Sequence, residues 1–210
     1  MARVTGLARV TGLLFLLMAA KGDLACAQSA KAADPTKVVA GRNLSGWVKD
    51  FDSQNELVRL RAVKSLGPFG ESAVGALAKC LDDSSDGVKY WAADHLGAIG
   101  KSVAKHPEAK QVIARLRKLE SQKQKAVAIA AAYALCRLDT PDGHISLLIE
   151  RLGHPERGMA CSAAEFLGKM GPSASAALKE LESHFQLNRD DHVKGACQNA
   201  IRKIKQLPVK

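Results

Sequence analysis

From Leu44 onward, apolar residues recur at helical rather than strand spacing. The clearest stretch is Val88 to Gly100, VKYWAADHLGAIG, where Val88, Ala92 and Leu96 fall at i, i+4 and i+8 on one face. Gly97 and Gly100 read as its stop, and the small pair Ala92–Ala93 leaves room for another helix to approach closely. The pattern returns along the chain. Copies are VRLRAVKSLGPFG (Val58 to Gly70), VKYWAADHLGAIG (Val88 to Gly100), VAIAAAYALCRLD (Val127 to Asp139), MACSAAEFLGKMG (Met159 to Gly171) and VKGACQNAIRKIK (Val193 to Lys205). With Leu66, Leu96, Leu135, Leu167 and Ile201 as reference positions, the spacings are 30, 39, 32 and 34 residues. Eight positions earlier lie Val58, Val88, Val127, Met159 and Val193, and four earlier lie Ala62, Ala92, Ala131, Ala163 and Cys197. Apolar, small and apolar residues in the same three slots of every copy mark an internal repeat.

A second helix is predicted before each copy, around Trp47 and Phe51, Leu77 and Leu81, Ile113 with Leu116 and Leu119, Leu148 and Leu152, and Leu178 with Leu181 and Phe185. Breaker runs separate the helices of a pair, among them Asp82 to Gly87, Leu152 to Pro155 and Asn188 to Asp191, whose Asp and Ser residues suit helix caps. The pattern predicts an all-α fold of about five stacked helical hairpins, with the repeat domain over 44–206 and a short tail at 207–210. Each hairpin buries its apolar face only against its neighbours. Trp47 and Phe51 are expected to close the first unit, and Arg202, Lys203 and Lys205 to give the last helix a solvated end.

The run V-[RK]-x-x-A-A-x-x-L-G-x-x-G resembles the second helix of HEAT repeats, particularly the short variety also found in phycobilisome lyases. Val58-Arg59, Ala92-Ala93 with Leu96-Gly97-Ala98-Ile99-Gly100, and Ala163-Ala164 with Leu167-Gly168 carry the match. The third copy departs from it, with Cys136 and Asp139 in the glycine places. The resemblance implies a right-handed α-solenoid, a protein-binding scaffold rather than an enzyme, and a concave surface lined by the second helices. Slots two, five, six and nine before the reference then face outward. They hold Leu57, Leu60, Arg61 and Lys64 in the first unit, and Gly87, Tyr90, Trp91 and Asp94 in the second. In the third they hold Ala126, Ile129, Ala130 and Tyr133. Arg61, Tyr90, Trp91, Ile129 and Tyr133 are the candidate partner-binding residues, since large aromatic side chains anchor many protein interfaces. Their alternative role is packing against neighbouring helices or arginine stems.

The third copy, AVAIAAAYALCRL, is apolar on every side, which is the pattern of a helix buried all round. Its cover would be an N-terminal arm, a second copy of the chain or a partner segment; the alternative is that alanine is neutral on a surface.

Composition supports the helical reading: aromatic residues are 4% of the chain, against the β-branched and aromatic richness that sheets prefer. Residues 1–27 read as an export signal, with Arg3 and Arg9 before an apolar run from Val10 to Ala20 and a small-x-small site at Ala25-Cys26-Ala27. Cleavage after Ala27 would place the protein in the periplasm or outside the cell, without a transmembrane segment. Residues 28–43, small, polar and aperiodic, read as a flexible linker or N-terminal arm.

The leader takes Arg3, Arg9, Lys21 and Asp23 with it, leaving 28 Lys and Arg against 20 Asp and Glu. Residues 101–125 hold most of the excess, and Lys110, Arg115, Arg117 and Lys118 are the candidate residues for an acidic polymer. A solvated face is the alternative. Nucleic acid is not expected for an exported chain. Cys80, Cys136, Cys161 and Cys197 have no C-x-x-C spacing and are expected to be free, mostly buried thiols.

No catalytic, cofactor or metal constellation is visible. Deoxyhypusine hydroxylases, which are helical-repeat enzymes, carry His-Glu steps as iron ligands, and none of the six histidines here precedes a Glu. His106-Pro107-Glu108 and His154-Pro155-Glu156 recur in different places of the unit and read as helix starts. The sequence therefore favours an exported scaffold for an unidentified protein partner, with possible self-association. The alternatives are a binder of an acidic polymer and a lyase-like cofactor chaperone.

Overall fold

The computed structural model describes residues 37–122, 125–138 and 143–208. The expected export signal, most of the expected linker and the end of the third copy lie outside the described residues. Ten α-helices follow one another within them: α1 Leu44–Val48, α2 Glu56–Lys64, α3 Val74–Cys80, α4 Asp86–Ile99, α5 Ala109–Glu120, α6 Ala126–Leu138, α7 Ile145–Arg151, α8 Arg157–Met170, α9 Leu178–Leu187 and α10 Asp191–Ile204. They pair as five hairpins, and the even-numbered helices are the repeated copies. No helix among the described residues is long and apolar enough to cross a membrane.

Capping follows the breaker runs. Asn55, Ser85 and Asp190 accept backbone N–H bonds at the starts of α2, α4 and α10. Both His-Pro-Glu segments start helices: Glu108 and Glu156 are N-caps, and each donates its N–H to the Nδ1 of the preceding histidine, at 3.3 and 3.1 Å. In the first unit α2 ends at Lys64, short of the predicted end near Gly70, and a 3-10 segment over Gly67–Ala73 follows. Pro68 is the reason, because it has no N–H to donate to the Lys64 carbonyl and its ring crowds that carbonyl.

The repeat slots form the core, apart from half-buried Val58 and Ile201 in the terminal units. Ala62, Ala92, Ala131, Ala163 and Cys197 are all fully buried, as are Leu66, Leu96, Leu135 and Leu167. Gly97 is not a stop, contrary to the sequence reading: it lies inside α4, where a Cβ would sit 2.5 Å from the Tyr133 ring and 3.1 Å from the Ala134 Cα. A Cβ on Gly168 would likewise meet the Ala200 Cα at 3.0 Å, and one on Gly67 the His95 ring at 2.7 Å. In each case the residue after the reference abuts the residue before the reference of the next unit, so the units are equivalent in space. The true stop of α4 and of α8 is the second glycine, with φ of 68° at Gly100 and 61° at Gly171, while Gly70, with φ of 58°, kinks the 3-10 segment after α2; a side chain at any of the three would be strained.

Residues 39–42, expected within a linker, belong to the fold. Val39 and Arg42 exchange both backbone hydrogen bonds across Ala40 and Gly41, which both have positive φ. The turn covers Trp47, which is buried and donates its indole N–H to the Val39 carbonyl at 3.1 Å. The Arg42 guanidinium lies 4.4 Å from the Trp47 ring and is held by Asp50.

Candidate protein-interaction face

The outward slots of the even-numbered helices are not equally open. In α2, Leu57, Arg61 and Lys64 are exposed and Leu60 is half-buried. In α4, Tyr90 and Trp91 are half-buried and Asp94 is 5% exposed. In α6, Ile129 is 0% and Tyr133 2% exposed, and Ala130 is buried too. Exposure returns in α8 and α10, at Glu165 and Asn199. Ile129 and Tyr133 are therefore core residues and not part of an accessible face, which corrects the sequence reading of both.

The cause is that α4 and α8 meet over α6 through long side chains. The Tyr90 hydroxyl lies 3.5 Å from Ser162 Oγ, and its ring 5.8 Å from Phe166. Phe166 stacks on Tyr133 with centroids 4.6 Å apart. The Lys169 ammonium donates to both Asp94 oxygens at 2.9 and 3.1 Å. Helix α6, apolar on every side, is thus covered by its own neighbours rather than by an arm, a second copy or a partner. Burial works against the charge on Lys169, but its hydrogen bond to Asp94 and the charges of Asp94 and Glu165 outweigh burial and raise its pKa. Burial also pushes up the Tyr90 and Tyr133 hydroxyls.

Sequence reasoning missed Phe166 and Lys169 because neither is in an outward slot. Opposite charge at Asp94 and Lys169, two units apart, was the available signal.

The face is open on both sides of the closure over α6: a groove of about 310 Å³ lies between α8 and α10, lined by Cys161, Glu165 and Asn199 among others, and a larger one lies in the N-terminal half. A groove of about 430 Å³ is lined by Val39, Leu57, Leu60, Arg61, Lys64, Ser65 and Pro68. Leu57 is 72% exposed at its mouth. The Arg61 guanidinium is 5.7 Å from the Trp47 ring, and the Lys64 ammonium is 4.8 Å from the Trp91 ring. Arg61, Trp91 and, more deeply, Tyr90 thus share one face, which Leu57, Leu60 and Lys64 complete.

The basic segment is on the other layer, along α5. Lys110, Arg117 and Lys118 are exposed. Arg115 is already paired with Asp82 at 2.7 Å, and Lys125 with Asp86 at 3.0 Å. Asp82 in the loop before α4 and Asp86 at its first position thus offset part of the charge that the sequence alone assigned to a cationic patch. Among the described residues no group of three or more His, Cys, Asp and Glu could hold a metal ion. Cys80, Cys136 and Cys197 are buried and Cys161 is half-buried.

The fold and the repeat define a class, the helical-repeat solenoid. Within it the chain belongs to the HEAT-repeat family, whose repeat model matches residues 44–122 and 110–202. An engineered protein is similar at 20% identity and a TM-score of 0.48, over 78% of this chain and 79% of its own. A designed armadillo-repeat protein is similar at 20% identity and a TM-score of 0.47, over 77% and 82%. Human deoxyhypusine hydroxylase in complex with glycerol aligns at 16% identity and a TM-score of 0.31, over 93% and 100%. No curated protein sequence matches the chain.

Proposed function

We propose that the chain is an exported, non-enzymatic scaffold that holds a protein partner on the N-terminal half of its inner face. Helical repeats of this family are typically interaction modules, and repeat arrays bind through the side chains that successive units present along one face. The observation that carries the reading is the exposure of Leu57 at the mouth of a groove continuous with Arg61 and Lys64. Apolar surface in a groove rimmed by polar and charged side chains is characteristic of a protein-interaction site. Export rests on the charge and hydropathy pattern of residues 1–27.

Photo-crosslinking tests the face. A benzophenone side chain replacing Leu57 is expected to give a discrete adduct from the native host, while the same group at Lys118, on α5, gives none. Identical products from both positions, or none from Leu57, would exclude this face. N-terminal sequencing of the host-made chain tests export: Gln28 should be the first residue, and a chain that keeps its leader would exclude it.

A further inference from the structure

We infer that the segment seated in the Leu57 groove is an acidic amphipathic stretch of the partner protein, with an apolar side chain flanked by carboxylates. The inference rests on the reading of this face as the partner surface and adds the chemistry of what it holds.

Leu57, Leu60 or Arg61, and Lys64 follow one another at helical spacing, so α2 lays an apolar strip and a cationic strip side by side. Val39 and Leu60 are apolar lining residues of the groove beside Leu57. Arg61 and Lys64 each rest over one of the chain's two indoles, which fixes the stems and leaves the charge intact. Neither is paired with a carboxylate among the described residues. Asp50, Glu56 and Asp83 are committed elsewhere, to Arg42, Ser85 and Arg59, and neither Asp52 nor Glu71 forms an ion pair with Arg61 or Lys64. Two fixed cations, of which only Arg61 feels a nearby carboxylate, that of Asp50 already bound to Arg42, set a positive potential along an apolar groove.

Carboxylates beside an apolar anchor complement that arrangement. A nucleic acid does not, because Trp47 is buried and Lys64 covers Trp91, which leaves no open ring for base stacking. A basic segment would meet like charge.

The test is fluorescence polarisation with the folded chain and three short labelled peptides. One carries Leu on one helical face with Glu flanks, the second replaces Glu by Lys, and the third replaces Leu by Ser. The first is expected to bind at least about tenfold tighter than either other, a difference of about 1.4 kcal/mol. Arg61→Glu with Lys64→Glu should reverse the preference towards the Lys peptide, and Leu57→Ser should weaken both. Unchanged far-UV circular dichroism and Tm identify folded variants, and reversed preference in a folded variant is an outcome that misfolding does not produce. Equal binding of the Glu and Lys peptides, displacement of the Glu peptide by a single-stranded oligonucleotide, or binding unchanged in the double variant would overturn the inference. If no peptide binds while the Leu57 cross-link persists, the acidic chemistry falls and the scaffold reading stands. If the Glu peptide binds with the expected reversal but the cross-link is absent, the scaffold reading falls instead.

Discussion

Asp94 and Lys169 are 75 residues apart in sequence and 2.9 Å apart in space. Asp94 starts from the second unit and Lys169 from the fourth, and the third unit lies beneath their ion pair. A solenoid whose units contacted only their immediate neighbours would not make this contact. Together with Tyr90, Ser162 and Phe166 the pair closes the inner face at its middle, so Val127 to Cys136 of α6 are buried although apolar on every side.

Removing the cation should therefore cost more than a surface ion pair is worth. Lys169→Met leaves the Asp94 carboxylate buried without its partner and is expected to destabilise the fold by about 2–3 kcal/mol. That is below the loss for a fully buried pair, because the Lys169 side chain is 31% exposed. Adding Asp94→Asn should recover more than half of the loss in urea unfolding. Strictly additive losses would show that the two side chains are not coupled.

The two glycines of one helix type separate packing from propensity. Gly97→Ala places a Cβ against the Tyr133 ring and should cost about 1–3 kcal/mol, despite the better helix propensity of alanine. Gly195→Ala, inside α10 with nothing within 4 Å of the new Cβ, should instead gain about 0.5–1 kcal/mol. Thermal unfolding of the two variants reads the opposite signs directly.

His95 gives the fold an acid sensitivity. Its ring packs on Gly67 and Trp91, and its Nε2 has no hydrogen-bond partner. Burial lowers its pKa from 6.5, opposed by the charge of Asp94 and reinforced by that of Lys169. The unfolded chain then takes up a proton that the folded chain resists. The contribution is complete above about pH 6.5 and is lost as the pH falls towards the lowered folded value. Wild type should lose stability relative to His95→Gln between about pH 8 and pH 5. Parallel stability curves would locate the acid sensitivity in another group.

Thiol labelling checks the packing of the cysteines. Burial pushes the Cys80 and Cys136 thiols up to about 12 and the Cys197 thiol up to about 11. Of these four cysteines only half-buried Cys161 should react with an aromatic disulfide reagent in the folded chain, and all four after denaturation. Fast reaction at Cys197 would mean that α8 and α10 part readily.

Much of this protein is written locally. The helices, their caps and the five-fold repeat follow from period and turn chemistry, which operate over fewer than about twenty residues. Leu96, Ala92 and Val88 are core for the reason their spacing implies. The inner face is different. Leu57 and Tyr133 are both apolar-bodied residues on repeated second helices, yet one is solvated and the other is packed under Phe166. That difference depends on how far the array turns between the second unit and the fourth. The turn is a sum of small rotations at several helix contacts, including those at Gly97 and Gly168. No local pattern carries that sum. The sequence by itself determined the units and the seam that stacks them; the tertiary structure decided which part of the face remains open, because only the accumulated turn brings Asp94 and Lys169 together and leaves Arg61 and Lys64 outside.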